Sequence, residues 1–234
     1  MDKLDILAFG AHPDDVELGC AGTLITHISK GRKAGVVDLT QGELGTRGNA
    51  KLRLEEAQAA SSIMGLAVRE NLGFRDGFFV NDEPHQLKVI SVIRKYRPEI
   101  ILMPAPHDRH PDHGRSAKLI SDACFLSGLE KIDTKQEAWR PKAAYHYIQF
   151  MEIKPDFIVD ISEAYAKKME AIGAYGSQFY NPDSDEPQTL ISTKAFMDLV
   201  TSRSVNLGAY IGASHGEGFI TQRYPGVKNL FDLI

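Results

Sequence analysis

Two short stretches of this 234-residue chain gather side chains that bind metals and move protons. One reads Gly10-Ala11-His12-Pro13-Asp14-Asp15-Val16-Glu17. The other reads Pro106-His107-Asp108-Arg109-His110-Pro111-Asp112-His113-Gly114. Imidazole with carboxylate is the ligand set of a catalytic zinc, in which three protein groups leave a fourth position open to water. His12 and Asp15, three apart at the mouth of a helix, can face one ion, with His113 joining from the second stretch. Spacing alone leaves open which of Asp14 and Asp15 is the ligand and which a base. Acids and histidines remain after three ligands are assigned, and hydrolysis needs such groups as a base for water and a donor for the developing oxyanion. Pro13 and Pro111 bias the preceding His12 and His110 to extended backbone. A single His-Pro-Asp is a turn before a capped helix, since Asp favours helix starts. Two of them, each leaving a strand, point to a metal site.

The elements that must hold these stretches alternate along the chain. Apolar runs at 4–9, 35–40, 67–74, 99–103, 145–150 and 157–161 read as strands. Helical periodicity or length marks 16–30, 50–64, 84–97, 114–129, a segment through Tyr165, Met169 and Ile172, and 193–206. Asn49 suits a helix cap and Gly65 a helix stop. Arg94, Lys95 and Arg97 suit a last helical turn, facing the negative end of its dipole. This alternation implies βαβ units: an α/β, Rossmann-like, mainly parallel sheet with helices on both faces, in a single domain over 1–234. Ligands in such sheets bind beyond the carboxyl ends of the strands, where both stretches lie.

Composition narrows the function. With 43% hydrophobic residues the chain buries a sizeable core, and a net charge of −4 gives no basic footprint for nucleic acid. Cys20 and Cys124 are too few for a disulfide framework and read as reduced, partly buried thiols. The start, Met1-Asp2-Lys3-Leu4-Asp5, puts acids where a signal peptide needs bases, and no stretch approaches the ~20 apolar residues of a membrane span. The expectation is a soluble cytoplasmic enzyme acting on a small molecule, without nucleic-acid or membrane partners.

The segment Ala11-His12-Pro13-Asp14-Asp15-Val16-Glu17-Leu18-Gly19-Cys20-Ala21-Gly22-Thr23-Leu24 resembles the AHPDDxExGxGGTL opening of the LmbE-like (PIG-L) zinc N-deacetylases. His110-Pro111-Asp112-His113 resembles their second motif, HPDH. Thr40-Gln41-Gly42-Glu43, Arg53-Leu54-Glu55-Glu56-Ala57, Val159-Asp160-Ile161 and Ser177-Gln178 extend the likeness. Within the family the likeness is greatest to the bacillithiol-pathway branch that deacetylates N-acetylglucosaminyl malate. The resemblance implies His12, Asp15 and His113 as ligands of Zn2+, with ferrous iron the alternative ion in the cell, and Asp14 as general base. It further implies His110 as a cationic partner of the oxyanion, Asp112 as a carboxylate orienting a histidine, and Arg53 as a sugar-binding arginine. Mycothiol-pathway relatives carry a tyrosine two residues before the first His of HPDH. Asp108 stands there in this chain, so that tyrosine's role does not transfer. Relatives in this branch tend to assemble as trimers or hexamers, which makes a homo-oligomer the expectation.

Arg109, inside the second stretch, is a candidate for binding the malate carboxylates, because arginine grips carboxylates through a bidentate fork. Arg53 on a helix of small residues reads equally as a solvated partner of Glu56. His27, His85 and His146 read as structural, and Pro106 and Pro111 argue against His107 sharing a helical face with His110 and His113. His215, in the loop-like stretch Ser214-His215-Gly216-Glu217-Gly218, and the polar loop 177–188 are open as neighbours of the site. The alternatives are deacetylation of N-acetylglucosamine or chitooligosaccharides, a non-haem iron oxygenase using a 2-His-1-carboxylate triad, and a non-catalytic metal-binding protein. The strand–helix alternation speaks against the oxygenase. A dinucleotide-binding Rossmann protein is a weak rival, since G-x-G-x-x-G is absent after the first strand.

Overall fold

A computed structural model describes residues 3–233, so the reading of Met1 and Asp2 lies outside the described residues. The elements in chain order are β1 (Ile6–Gly10), α1 (Asp15–Ser29), β2 (Ala34–Thr40), α2 (Ala50–Met64), β3 (Val68–Phe74), α3 (Glu83–Tyr96), β4 (Ile100–Pro104) and α4 (Pro111–Leu126). They continue with β5 (Ala143–Tyr147), β6 (Phe157–Asp160), α5 (Tyr165–Gly173), α6 (Lys194–Ala209), β7 (Gly216–Thr221) and a 3-10 turn (Leu230–Leu233). The strands form one sheet in the order β3-β2-β1-β4-β5-β7-β6. The first five run parallel, and β7 lies antiparallel between β5 and β6. The expected α/β sheet with helices on both faces is therefore present, with an antiparallel edge that the apolar pattern did not reveal.

Side-chain alternation divides the core into two layers. Ile6 and Ala8 of β1, with Ala34 and Val36 of β2, face a layer built with α1, α2, α5 and α6. Leu7 and Phe9, with Val37 and Leu39, face the layer of α3 and α4. Because β1, β2 and β4 are covered on both faces, their side chains are almost all buried, which is why they read as continuous apolar runs.

Helix ends follow their caps where the cap is local. The Asn49 side chain accepts the Leu52 N–H at 3.0 Å, and Gly65 closes α2 at φ 77°. The basic end of α3 behaves differently from the expectation. Arg94 is buried and donates to the carbonyls of Ser127, Leu129 and Ile132, so it ties α3 to the end of α4 and does not serve its own helix. Lys95 pairs with Glu70, and Arg97 with Glu137 at 2.9 Å.

The helix α1 is bent at Cys20, whose backbone leaves helical geometry (φ −149°, ψ 17°). The bend frees backbone donors in mid-helix, and such donors need partners when buried. Glu217 of β7 supplies them: its carboxylate accepts from Gly22 N–H at 2.9 Å, Thr23 N–H at 2.7 Å and the Thr23 hydroxyl at 2.6 Å. Lys168 of α5 neutralises it at 2.6 Å while donating to the Leu18 carbonyl at 3.0 Å.

Just before the bend, Gly19 lets α1 lie directly on the Tyr147 ring. A Cβ there would meet ring carbons at 2.2 and 2.6 Å, and the ring cannot yield because Tyr147 is fully buried and donates to the Phe9 carbonyl at 2.9 Å. Gly19→Ala is therefore expected to lower stability by about 1–3 kcal/mol, the usual cost of overpacking. That exceeds the ~1 kcal/mol that alanine gains over glycine in a helix. Thermal melts check it, and a variant melting at or above wild type would show that the ring has room to move.

Candidate active site

The two motif stretches leave neighbouring strands. β1 and β4 pair in parallel, Ile6 with Ile100, Leu7 with Ile101 and Ala8 with Leu102, at the point where the chain reverses its direction of travel across the sheet. Open α/β sheets form their ligand crevice at such a switch point. The second stretch is less loop-like than its prolines suggest. α4 begins at Pro111, placing Asp112 and His113 in its first turn, and the His110 side chain caps it by accepting the Asp112 N–H at 3.3 Å.

Asp14 occupies the position before α1 where an aspartate ordinarily caps the helix, yet it makes no capping hydrogen bond. Its φ of 115° is a conformation that side-chain-bearing residues rarely adopt and that costs energy to hold. The carboxylate turns instead to Arg53 of α2, whose Nη2 donates to it at 2.8 Å and to the Pro13 carbonyl at 2.6 Å. Arg53 is buried beside Asp14, so it is an inward-facing arginine and not a solvated partner of Glu56. Glu56 accepts from Ser177 instead.

Asp15 lies between the two motifs. One carboxylate oxygen is 3.1 Å from His113 Nε2, and the other is 3.4 Å from His12 Nδ1 while accepting the His12 N–H at 2.9 Å. Gln149, just past β5, donates to Asp15 at 2.6 Å. His12 Nε2 faces Asp76 at 3.1 Å and Asp112 at 3.4 Å, and His113 Nδ1 faces Asp108 at 3.3 Å. Asp112, fully buried, also accepts the Gly77 N–H at 2.8 Å and pairs with Arg115.

Burial makes these charges strongly interdependent. It pushes the Asp14 carboxyl up to about 7, with Arg53 pulling it down and the charge of Asp15 pushing it further up. Burial opposes the charged form of Asp15 too, but His113 and His12 override it and hold the carboxyl well below the usual range. His113 rises to about 9 although burial works against its cation, because the carboxylates of Asp15 and Asp108 outweigh that cost. His12 is likewise raised, against burial, by Asp112, Asp15 and Asp76. His110 is lowered by burial and by the neighbouring His12 and His113.

A buried carboxylate flanked by two imidazoles is a donor set that suits a divalent ion of zinc type. Ring nitrogens of His12, His110 and His113 lie within 4.8 Å of one another, and so do ligand atoms of His12, Asp76 and Asp112. His12 belongs to both groups. The residues present therefore fit such an ion.

All of these groups but Asp112, which lies behind the wall, line a cleft of about 430 Å³, within the usual range for small-molecule sites. Asp14, Asp15, His12, His110, His113, Arg53 and Arg109 all border it. Arg109 is exposed at the rim, its guanidinium 5.0 Å over the Phe150 ring. Asp76, Gln149 and Arg47, which the sequence does not single out, also border the cleft, as does Asp108, to which the sequence assigns no role. The signal for them is positional, since each lies in the loop after β3, β4, β5 or β2, at the same sheet edge as the motifs. Of the loop 177–188, Gln178 reaches the cleft wall. His215 stacks on Tyr165 at 3.5 Å and is not part of that wall, and the segment after it is strand β7, not loop. A larger cavity of about 700 Å³ against α6 shares Phe150 with the cleft but contains no histidine or aspartate.

The sequence and the fold have known counterparts. The family model described as PIG-L, GlcNAc-PI de-N-acetylase, matches residues 7–124. Diacetylchitobiose deacetylase of Thermococcus kodakarensis is 30% identical over 190 residues, covering 76% of this chain and 71% of its own length. The probable N-acetyl-alpha-D-glucosaminyl L-malate deacetylase 2 of Bacillus anthracis is 26% identical over 188 residues, covering 74% of this chain and 81% of its own. Among solved structures, the conserved protein TT1542 from Thermus thermophilus superposes with a TM-score of 0.87 at 33% identity, over 96% of this chain and 98% of that one. On these likenesses the chain belongs to the PIG-L (LmbE-like) deacetylase family.

Proposed function

We propose that the chain is a metal-dependent hydrolase that removes the acetyl group from an N-acetylglucosaminyl substrate, with N-acetylglucosaminyl malate as the specific substrate. The observation that carries this reading is the Asp14–Asp15 pair. Asp15 is enclosed by His12 and His113, while Asp14 forgoes its capping role to present a second carboxylate in the cleft. The relatives named above, a diacetylchitobiose deacetylase and a probable N-acetyl-alpha-D-glucosaminyl L-malate deacetylase, support this substrate class. The buried thiols Cys20 and Cys124, unpaired in the structure, fit a reducing cytoplasmic setting.

His12, Asp15 and His113 would hold the ion, Zn2+ by family resemblance. Bound there, it supplies Lewis acidity that polarises an amide carbonyl and makes water more acidic. The rest of the chemistry falls to side chains. Asp14, poised near neutrality by burial, accepts the proton of the water that adds to the acetyl carbon. His110 accepts at Nδ1 from the Asp112 N–H, which leaves Nε2–H free to donate to the developing oxyanion. The resemblance implies a cation at this position. In this structure burial and two neighbouring histidines favour a neutral imidazole, which serves the oxyanion as a hydrogen-bond donor through Nε2–H while the proton taken by Asp14 goes on to the amine. The C–N bond then breaks, the amine takes the proton, and acetate leaves.

Three experiments test this reading. Asp14→Asn should retain bound zinc, measured by metal analysis, and lose about 10²–10⁴-fold in the rate of acetate release, the usual scale of general-base catalysis. Near-normal turnover would remove Asp14 from the base role. Arg53→Gln removes the cation that favours ionised Asp14, so the protonated acid persists to higher pH. The acid limb of kcat/KM should move to higher pH, and an unmoved limb would assign it to another group. Arg109→Ala should raise KM for the malate glucosaminide while sparing N-acetylglucosamine. An equal effect on both would defeat a role in malate binding.

A further inference from the structure

Beyond the catalytic acids and histidines, the cleft contains a guanidinium with an unmet hydrogen-bonding demand. Arg47, in the loop after β2, borders the cleft and is only 4% exposed. Its Nη2 donates to the Ser184 hydroxyl at 2.5 Å, but its buried Nε has no hydrogen-bond partner. The exposed Glu186 forms a loose ion pair with Nε at 3.6 Å, beyond hydrogen-bond reach, and the same carboxylate oxygen accepts the Gly48 N–H at 2.8 Å. Gln178 clamps the Arg47 carbonyl at 2.9 Å, which fixes the turn that carries the side chain. Arginine stays charged at any physiological pH, and a buried donor of this kind is costly to leave unsatisfied.

The other cations of the cleft are differently placed. Arg53 also has a buried Nε without a partner, but its other nitrogens are committed to Asp14, Pro13 and Gly42, and Arg109 lies exposed over Phe150. Every carboxylate close to the histidines, from Asp14 to Asp108, is likewise committed to a cation or an imidazole. An acidic substrate would be repelled at that end of the cleft and attracted at Arg47.

We propose that Arg47 is a second acid-recognition residue of the cleft, beside Arg109 at the rim: its Nε and adjacent amino group grip a carboxylate carried by the group attached to the N-acetylglucosaminyl ring. The preferred substrate class is then an acid-bearing glucosaminide over a neutral oligosaccharide. The inference rests on the deacetylase reading and adds to it a specificity determinant. The competing role for Arg47 is a structural one, clipping the loop 177–188 through Ser184.

The test compares kcat and KM for N-acetylglucosaminyl malate and for N,N′-diacetylchitobiose in zinc-loaded wild type, Arg47→Gln, Arg47→Lys and Ser184→Ala. Arg47→Gln should lower the ratio of kcat/KM for the acid over the neutral substrate by at least about tenfold, through KM, the scale of one charge-assisted hydrogen bond. Arg47→Lys should recover part of that ratio, because it keeps the charge but not the fork. Ser184→Ala should keep the ratio of wild type. A wild type without acid preference overturns the inference, as do an equal loss on both substrates and a Ser184→Ala variant that reproduces the loss. In each of those cases the deacetylase reading stands. If wild type releases acetate from neither substrate, the deacetylase reading fails. Calorimetric titration with the malate glucosaminide then decides Arg47 by itself, since weaker binding by Arg47→Gln sustains the inference and equal or absent binding refutes it.

Discussion

The Asp15 carboxylate, shared between an imidazole from each motif, is the contact on which the cleft depends. Two buried histidines, a third that is partly buried and several buried acids would repel within their own kind if packed without order, because a low-dielectric interior magnifies both signs of interaction. Asp15 resolves this by lying where both His12 and His113 favour its charge and where it favours theirs. The arrangement is possible only because β1 and β4 are hydrogen-bonded neighbours, so that loops distant in sequence emerge side by side.

Behind this contact the protein is stiffened by a second layer of paired charges. Arg69 of β3 holds Asp38 with two parallel bonds at 2.8 and 2.9 Å and Glu17 at 2.5 Å, while Tyr175 donates to Glu17 at 3.0 Å. Buried pairs of this kind contribute little net stability but are costly to break singly, so they fix geometry. Here they anchor the first turn of α1, whose opening residue is Asp15, and beside it Asp14 in its unfavourable backbone conformation. Dipoles fixed before the substrate arrives need no reorganisation during reaction, which is the condition for electrostatic catalysis.

The parallel half of the sheet and both motif loops were readable because their signals are local: buried runs such as that of β1, caps such as Asn49, and repeated His-Pro-Asp. What escaped reading depends on tertiary contacts. In β7, Gly216 and Gly218 interrupt the apolar pattern, and Ser214-His215-Gly216-Glu217-Gly218 reads as a loop. A Cβ at Gly216 would meet the Leu207 and Gly208 backbone at 3.0 and 2.9 Å, so the missing side chain reflects close packing against α6, not chain reversal. Arg94 looked like a helix-end charge because its partners, carbonyls after α4, lie more than thirty residues away. Asp76 and Gln149 carry no motif of their own, and only the sheet order shows that the loops after β3 and β5 open onto the same edge. For Asp14, spacing could not separate ligand from base, and the diverted carboxylate became visible only with α2 packed beside it.

The bend in α1 has a temporal corollary. Gly22 and Thr23 lie in the first helix of the chain, yet the carboxylate that satisfies them belongs to a residue 195 positions downstream of Gly22. On the ribosome, the helix that begins at Asp15 therefore emerges long before its midpoint has a counter-charge, and Lys168 also waits for the same partner. The first motif can be translated early, but its scaffold acquires a permanent shape only when β7 slots between β5 and β6. Completion of the scaffold around the first motif is thus tied to one of the last strands to be synthesised.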